Sequence, residues 1–77
     1  MRIIVKYSRQ FGFGNQATQV FDIDPESLVI ELKRMIFARI GMEVKFQQLQ
    51  INFHGIMETM NDECSLSFYD VKENDKI

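Results

Sequence analysis

The chain has 77 residues, 45% of them apolar, 12% aromatic and 26% charged, which is enough for one small core and excludes a two-domain enzyme. Nine Lys and Arg against eleven Asp and Glu give a formal charge of -2, so no strong field draws the chain to nucleic acid or anionic lipid. One cysteine, Cys64, cannot close an intramolecular disulfide, and no run approaches the roughly 20 apolar residues of a membrane span; with no signal-peptide pattern at the start, an intracellular protein, cytoplasmic or nuclear, is expected.

Met1 to Tyr7 is β-branched and aromatic, with Met1, Ile3, Val5 and Tyr7 on one side and Arg2, Ile4 and Lys6 on the other, and predicts a first strand. Gln10 to Gln16 holds two glycines and an asparagine that tolerate positive φ, so the chain reverses there. The return strand runs from Ala17 to Asp24 with Phe21 and Ile23 inward, although Gln19 falls on the apolar side. Pro25 ends it. Val29, Leu32, Ile36 and Ile40 recur at helical spacing, with Ser27 or Asp24 as candidate caps at the start and Gly41 at the end. Gln48 to His54 alternates strictly, Leu49, Ile51 and Phe53 against Gln48, Gln50, Asn52 and His54, as a half-buried strand does. Gly55 turns the chain into a short fourth strand, Ile56 to Met60; Asn61 to Glu63 is turn-like, and Leu66 to Tyr69 reads as one tight helical turn before Val71.

A hairpin, one amphipathic helix, two more short strands and a helical turn is the element order of an α+β β-grasp fold, a mixed sheet with one helix packed across it. Met1-Arg2-Ile3-Ile4-Val5-Lys6 resembles the opening of ubiquitin, and Phe21-Asp22-Ile23-Asp24-Pro25 its second strand and proline turn. Val29, Leu32, Lys33, Ile36 and Gly41 fall where ubiquitin has its helix core, its buried-amine lysine and its helix-ending glycine. Gln47-Gln48, Phe53-x-Gly55, Asn61-Asp62, Leu66-Ser67 and Tyr69-x-Val71 follow in order, with a longer first hairpin and a few inserted residues around Met57. The chain therefore resembles the ubiquitin-like family along essentially its whole length. The resemblance implies a single domain over 1–77, and a Tyr69 hydroxyl donated to a backbone carbonyl in the Met60 to Glu63 loop. It also implies a last strand, lying between the first and third, of which Ile77 is only the beginning. Two readings stand for that strand: the protein continues beyond Ile77, which is favoured, or a partner chain supplies it by strand addition.

The departures bear on function. Ubiquitin's receptors grip an apolar patch on the outer sheet face, and the position at its centre corresponds to Asn52, flanked here by Gln50 and His54. That face has hydrogen-bonding capacity and little apolar area, so ordinary ubiquitin receptors are expected to pass it by. Ile56 and Glu73 stand near the two lysines most used for ubiquitin chains. The candidate protein-binding residues lie elsewhere: Ile30, Arg34 and Phe37 on the helix face opposite the core stripe, Phe11 and Phe13 at the tip of the first hairpin, and Ile4 on the outer side of the first strand. The competing reading of the helix face is a rotated helix or cover by another segment, and of the tip a turn with partly buried rings.

No catalytic set emerges. His54 and Cys64 are ten residues apart in no hydrolase pattern, one Cys and one His cannot fill a four-ligand zinc shell, and the acidic residues from Glu58 to Asp75 lack calcium-loop spacing. A non-catalytic protein-interaction module is expected, the N-terminal domain of a longer protein or a subunit of an assembly, with protein partners and no cofactor, metal or small-molecule substrate. The alternative is a conjugated modifier whose tail lies beyond Ile77.

Overall fold

Residues 1–8 and 16–77 are described by the computed structural model. The first strand, β1 (Arg2–Ser8), pairs antiparallel with β2 (Gln16–Asp22), Ile3 opposite Phe21 and Val5 opposite Gln19. The two-residue alternation of a strand turns Ile3, Val5 and Phe21 into the core and leaves Lys6, Val20 and Asp22 outside. Gln19 is tolerated because its position is only half-buried. β2 stops two residues before the expected Asp24, since the Asp24 carboxylate accepts the Glu26 amide at 2.8 Å and bends the chain into the proline turn.

The helix α1 (Val29–Ile40) buries Val29, Leu32 and Ile36, the stripe that its spacing predicts. Its start differs from expectation. Neither Ser27 nor Asp24 caps it; the residue before it is Leu28, which has no side-chain capping bond. The first helical amides need acceptors, and backbone supplies them: Val29 N–H donates to the Cys64 carbonyl at 2.9 Å and Ile30 N–H to that of Asp62 at 3.2 Å. At the other end Gly41 takes φ 78° and donates its N–H to the Phe37 carbonyl, the expected closure.

A 3-10 turn over Val44–Phe46, not foreseen from the sequence, leads to Gln47. Gln47 is buried, and its Nε2 donates to the carbonyls of Lys33 and Met42, tying the chain after the helix back onto it. β3 (Gln50–Phe53) and β4 (Ile56–Thr59) form a second antiparallel ribbon. β3 is shorter than the alternation from Gln48 to His54 suggests because His54 already belongs to the turn, at φ 53° beside Gly55 at φ 85°. Ile51 faces the core, whereas all four residues of β4 are exposed and Met60 is the next buried position. A second 3-10 turn, Ser67–Tyr69, carries the buried Tyr69 ring. Its hydroxyl stands in the expected loop but with the opposite role: it accepts the Asn61 N–H at 2.7 Å, because that amide is the unpaired group within reach.

The two ribbons do not pair with each other directly. Lys76 bridges Ile4 in parallel sense, which makes the sheet mixed, and α1 packs across it. The architecture is the α+β β-grasp.

Candidate protein-binding surface

The period of α1 sets Ile30, Arg34 and Phe37 on one face, one and two turns apart, opposite Val29, Leu32 and Ile36. Phe37 is 48% exposed and Arg34 is exposed, forming no ion pair with any described residue. Ile30 is half-buried, so the apolar content of this face is concentrated towards its C-terminal half. On another side of α1, well round the helix from Phe37, Arg39 meets β2: its guanidinium lies 4.3 Å from the centre of the Phe21 ring and donates to the Val20 carbonyl. Val20, 47% exposed on the outer side of β2, adds apolar area at this helix–strand edge. Arg39 is thereby committed to the fold, whereas Arg34, on the candidate face, has no ion pair with any described residue.

Ile4 is half-buried on the outer side of β1, with its backbone engaged by the final residues: its N–H donates to the Asp75 carbonyl and its C=O accepts from Ile77, each at 2.8 Å. Phe11 and Phe13, with the hairpin tip that bears them, lie outside the described residues. On the outer sheet face Gln50, Asn52 and His54 are exposed. Asn52 has a local task, since its Oδ1 accepts the Gly55 N–H at 2.9 Å and closes the β3–β4 turn. The third-strand surface is therefore polar, with one of its polar groups tied into the turn.

Three further exposed apolar features lie outside the candidate residues Ile4, Phe11, Phe13, Ile30, Arg34 and Phe37. Ile56 and Met57 are 64% and 60% exposed on β4, a strand that covers nothing. Phe68 is 62% exposed beside Tyr69, in an aromatic row whose rings meet edge to face: Phe68 on Tyr69, Tyr69 on Phe53, and Phe53 on His54 at 4.3 Å between centroids. Phe46, in the first 3-10 turn, is exposed under the Lys45 ammonium at 5.1 Å. The available signal for Phe68 was its place in a three-residue turn, where Phe68 and Tyr69 cannot both point inward.

His54 and Cys64 are not joined by any described hydrogen bond; the histidine ring rests on Phe53, and the Cys64 carbonyl serves α1. Among the described residues no three His, Cys, Asp or Glu side chains converge as a metal ligand set, and no helix is long and apolar enough to cross a membrane.

No family model and no curated protein matches the chain. Among solved structures it is similar to the crystal structure of the UBL domain of Plasmodium falciparum Dsk2, at 26% sequence identity over 99% of this chain and 92% of that one, with a TM-score of 0.62.

Proposed function

We propose, from the premise that the chain is a ubiquitin-like domain of the β-grasp fold, that it works inside the cell as a non-catalytic protein-interaction module which docks through its helix face. The observation that supports this reading is Phe37, a large ring left half in water beside Ile30 and an uncommitted Arg34, on a helix whose other face supplies the core. An aromatic–arginine pair on a rigid helix is the kind of anchor that carries most of an interface's energy. The polar surface around Asn52 points the same way, since it withholds the apolar area that a shallow sheet site needs.

The test compares proteins captured from one cell extract by the immobilised chain and by the double variant Ile30→Asp/Phe37→Asp, scored by quantitative mass spectrometry, after circular dichroism has established that both fold. A purified ubiquitin-binding domain provides a second arm. Specific captures should fall by about tenfold or more on the variant, while the ubiquitin-binding domain should bind neither. Unchanged capture by the variant refutes the helix face, and tight retention of the ubiquitin-binding domain refutes the change of receptor.

A further inference from the structure

The side of β4 turned away from β3 has uncovered backbone. Met60 N–H donates to the Leu49 carbonyl, so in the register of the pair Glu58 and Ile56 also turn their backbone groups towards β3. The N–H and C=O groups of Met57 and Thr59 therefore face outward, and no bond to them is found among the described residues. The outer edge of β2 differs, since its Val20 carbonyl accepts from Arg39. Sheet edges are commonly blunted by charge, and β4 has a single charge, Glu58, beside the exposed Ile56 and Met57.

The two faces of this edge are unlike. Ile56 and Glu58 stand on the same face as their cross-strand partners Phe53 and Ile51. At the Ile56 end that face continues through the rings of Phe53, Tyr69 and the exposed Phe68, which meet edge to face. At the other end Glu58 is exposed and has no ion pair with a described residue, whereas Asp70, next to Tyr69, stands 3.8 Å from Lys72. Met57 lies on the opposite face, in a cavity lined also by Lys6 and Lys76, with Asp75 in an adjoining one, so that face carries both signs.

We infer that the outer edge of β4 accepts an extended strand of a partner protein, antiparallel to β4, with a basic residue beside Glu58 and, two residues later, an apolar one beside Ile56. The outward groups of Met57 and Thr59 call for extended backbone, and antiparallel pairing is the stronger sense per residue. The two-residue period puts the basic and apolar residues on one face, next to the unpaired carboxylate and the aromatic row. A second copy of the chain is the poorer occupant. The register that joins all four outward groups between two copies sets Glu58 directly opposite its own counterpart, and like charges so placed repel. This edge is separate from the helix face that carries Phe37.

The test titrates the isotopically labelled 77-residue chain with a capped seven-residue peptide, lysine third, leucine fifth and threonine elsewhere, read by amide shifts and hydrogen exchange. Slower exchange at the Met57 and Thr59 amides is expected. A peptide N-methylated at its second and fourth residues should lose binding, and one with glutamate in place of lysine should bind about tenfold more weakly. The chain variant Glu58→Lys should reverse that preference. Met57→Pro removes an outward N–H without touching the ladder to β3, so it should fold by circular dichroism and lose the peptide. Phe37→Asp should bind as the parent chain does, which separates this edge from the helix face. The inference falls if no shift appears at millimolar peptide, if protection appears at Thr18 and Val20 on β2 instead, or if the N-methylated peptide binds as well as its parent. It also falls if the charge swap changes nothing, or if sedimentation shows the chain pairing with itself through β4.

Discussion

At the start of α1 the loop from Asn61 to Tyr69 is laced to its surroundings. Leu66 N–H donates to Ser27, Ser67 N–H to Pro25, Val29 to Cys64 and Ile30 to Asp62, and the Lys33 ammonium stands 2.6 Å from Asp62 Oδ1. Between β1 and β3, by contrast, four backbone bonds join the last residues to β1: Asn74 N–H to Arg2, Ile4 N–H to Asp75, Ile77 N–H to Ile4 and Lys6 N–H to Ile77. The same core lies beneath both seams, yet one is sealed by irregular backbone and a half-buried ion pair and the other, the more open among the described residues, is held by strand-like backbone bonds to β1. Regular strands are not needed to close a sheet-and-helix core: an irregular loop does it where its amides find helix-end and turn partners.

The sealed seam is the place to break this contrast hardest. Leu66, fully buried beneath it, should cost about 2–5 kcal/mol of unfolding free energy when changed to Ala, measured by urea denaturation. The lost methyl groups leave a hole under a loop whose position also holds the first helical amides, so the start of α1 should lose exchange protection with it. A smaller and more pointed effect comes from the ion pair. Lys33 is buried while Asp62 is 44% exposed, and the Asp62 Oδ1 has no hydrogen bond of its own, which makes the contact an ion pair without an aligned hydrogen bond. Asp62→Ala strands the buried ammonium and should cost about 2 kcal/mol, below the range for fully buried pairs because water reaches the carboxylate. Lys33→Met leaves a carboxylate that is 44% exposed, although its Oδ1 is buried, and should cost about 1 kcal/mol, less than the stranded ammonium does. Equal losses in the two variants would mean that the pair holds the seam through attraction and not through the burial of Lys33.

The sealed seam was also the harder one to foresee. The stripe Val29, Leu32, Ile36 and the pair Ile3, Val5 were legible because burial on one face imposes a period on the residues themselves. The bonds that start α1 run from Val29 and Ile30 to a loop more than thirty residues away, and backbone carbonyls carry no side-chain signature, so the capping role went by expectation to Ser27 or Asp24. Tyr69 shows the same limit: its place in the loop was readable, and the direction of its hydrogen bond was set by which amide the fold left unpaired. Of the candidate surface, the exposure of Phe37 followed from helical phase alone. Ile30 proved half-buried, and Phe68 and Ile56 stood outside the candidates because exposed apolar residues in a short turn and an edge strand follow no period.

The open side gives the smallest effect and the most local one. The β3–β4 turn places two successive residues, His54 and Gly55, at positive φ, the conformation that two-residue hairpins of this hand require. Gly55 has nothing within 4 Å of a prospective Cβ, so Gly55→Ala meets no steric obstacle outside its own backbone and isolates the conformational cost of about 1 kcal/mol. His54→Asn relieves part of the same strain at the neighbouring position and should raise stability by a few tenths of a kcal/mol, less the loss of its ring contact with Phe53. Thermal unfolding of both variants would show it. Because β4 buries none of its four residues, a weakened turn should let this ribbon exchange its amides while the Leu66 seam stays protected. If Gly55→Ala instead loosened the whole domain, the two sides would be one cooperative unit, and the contrast between a sealed and an open seam would be one of appearance only.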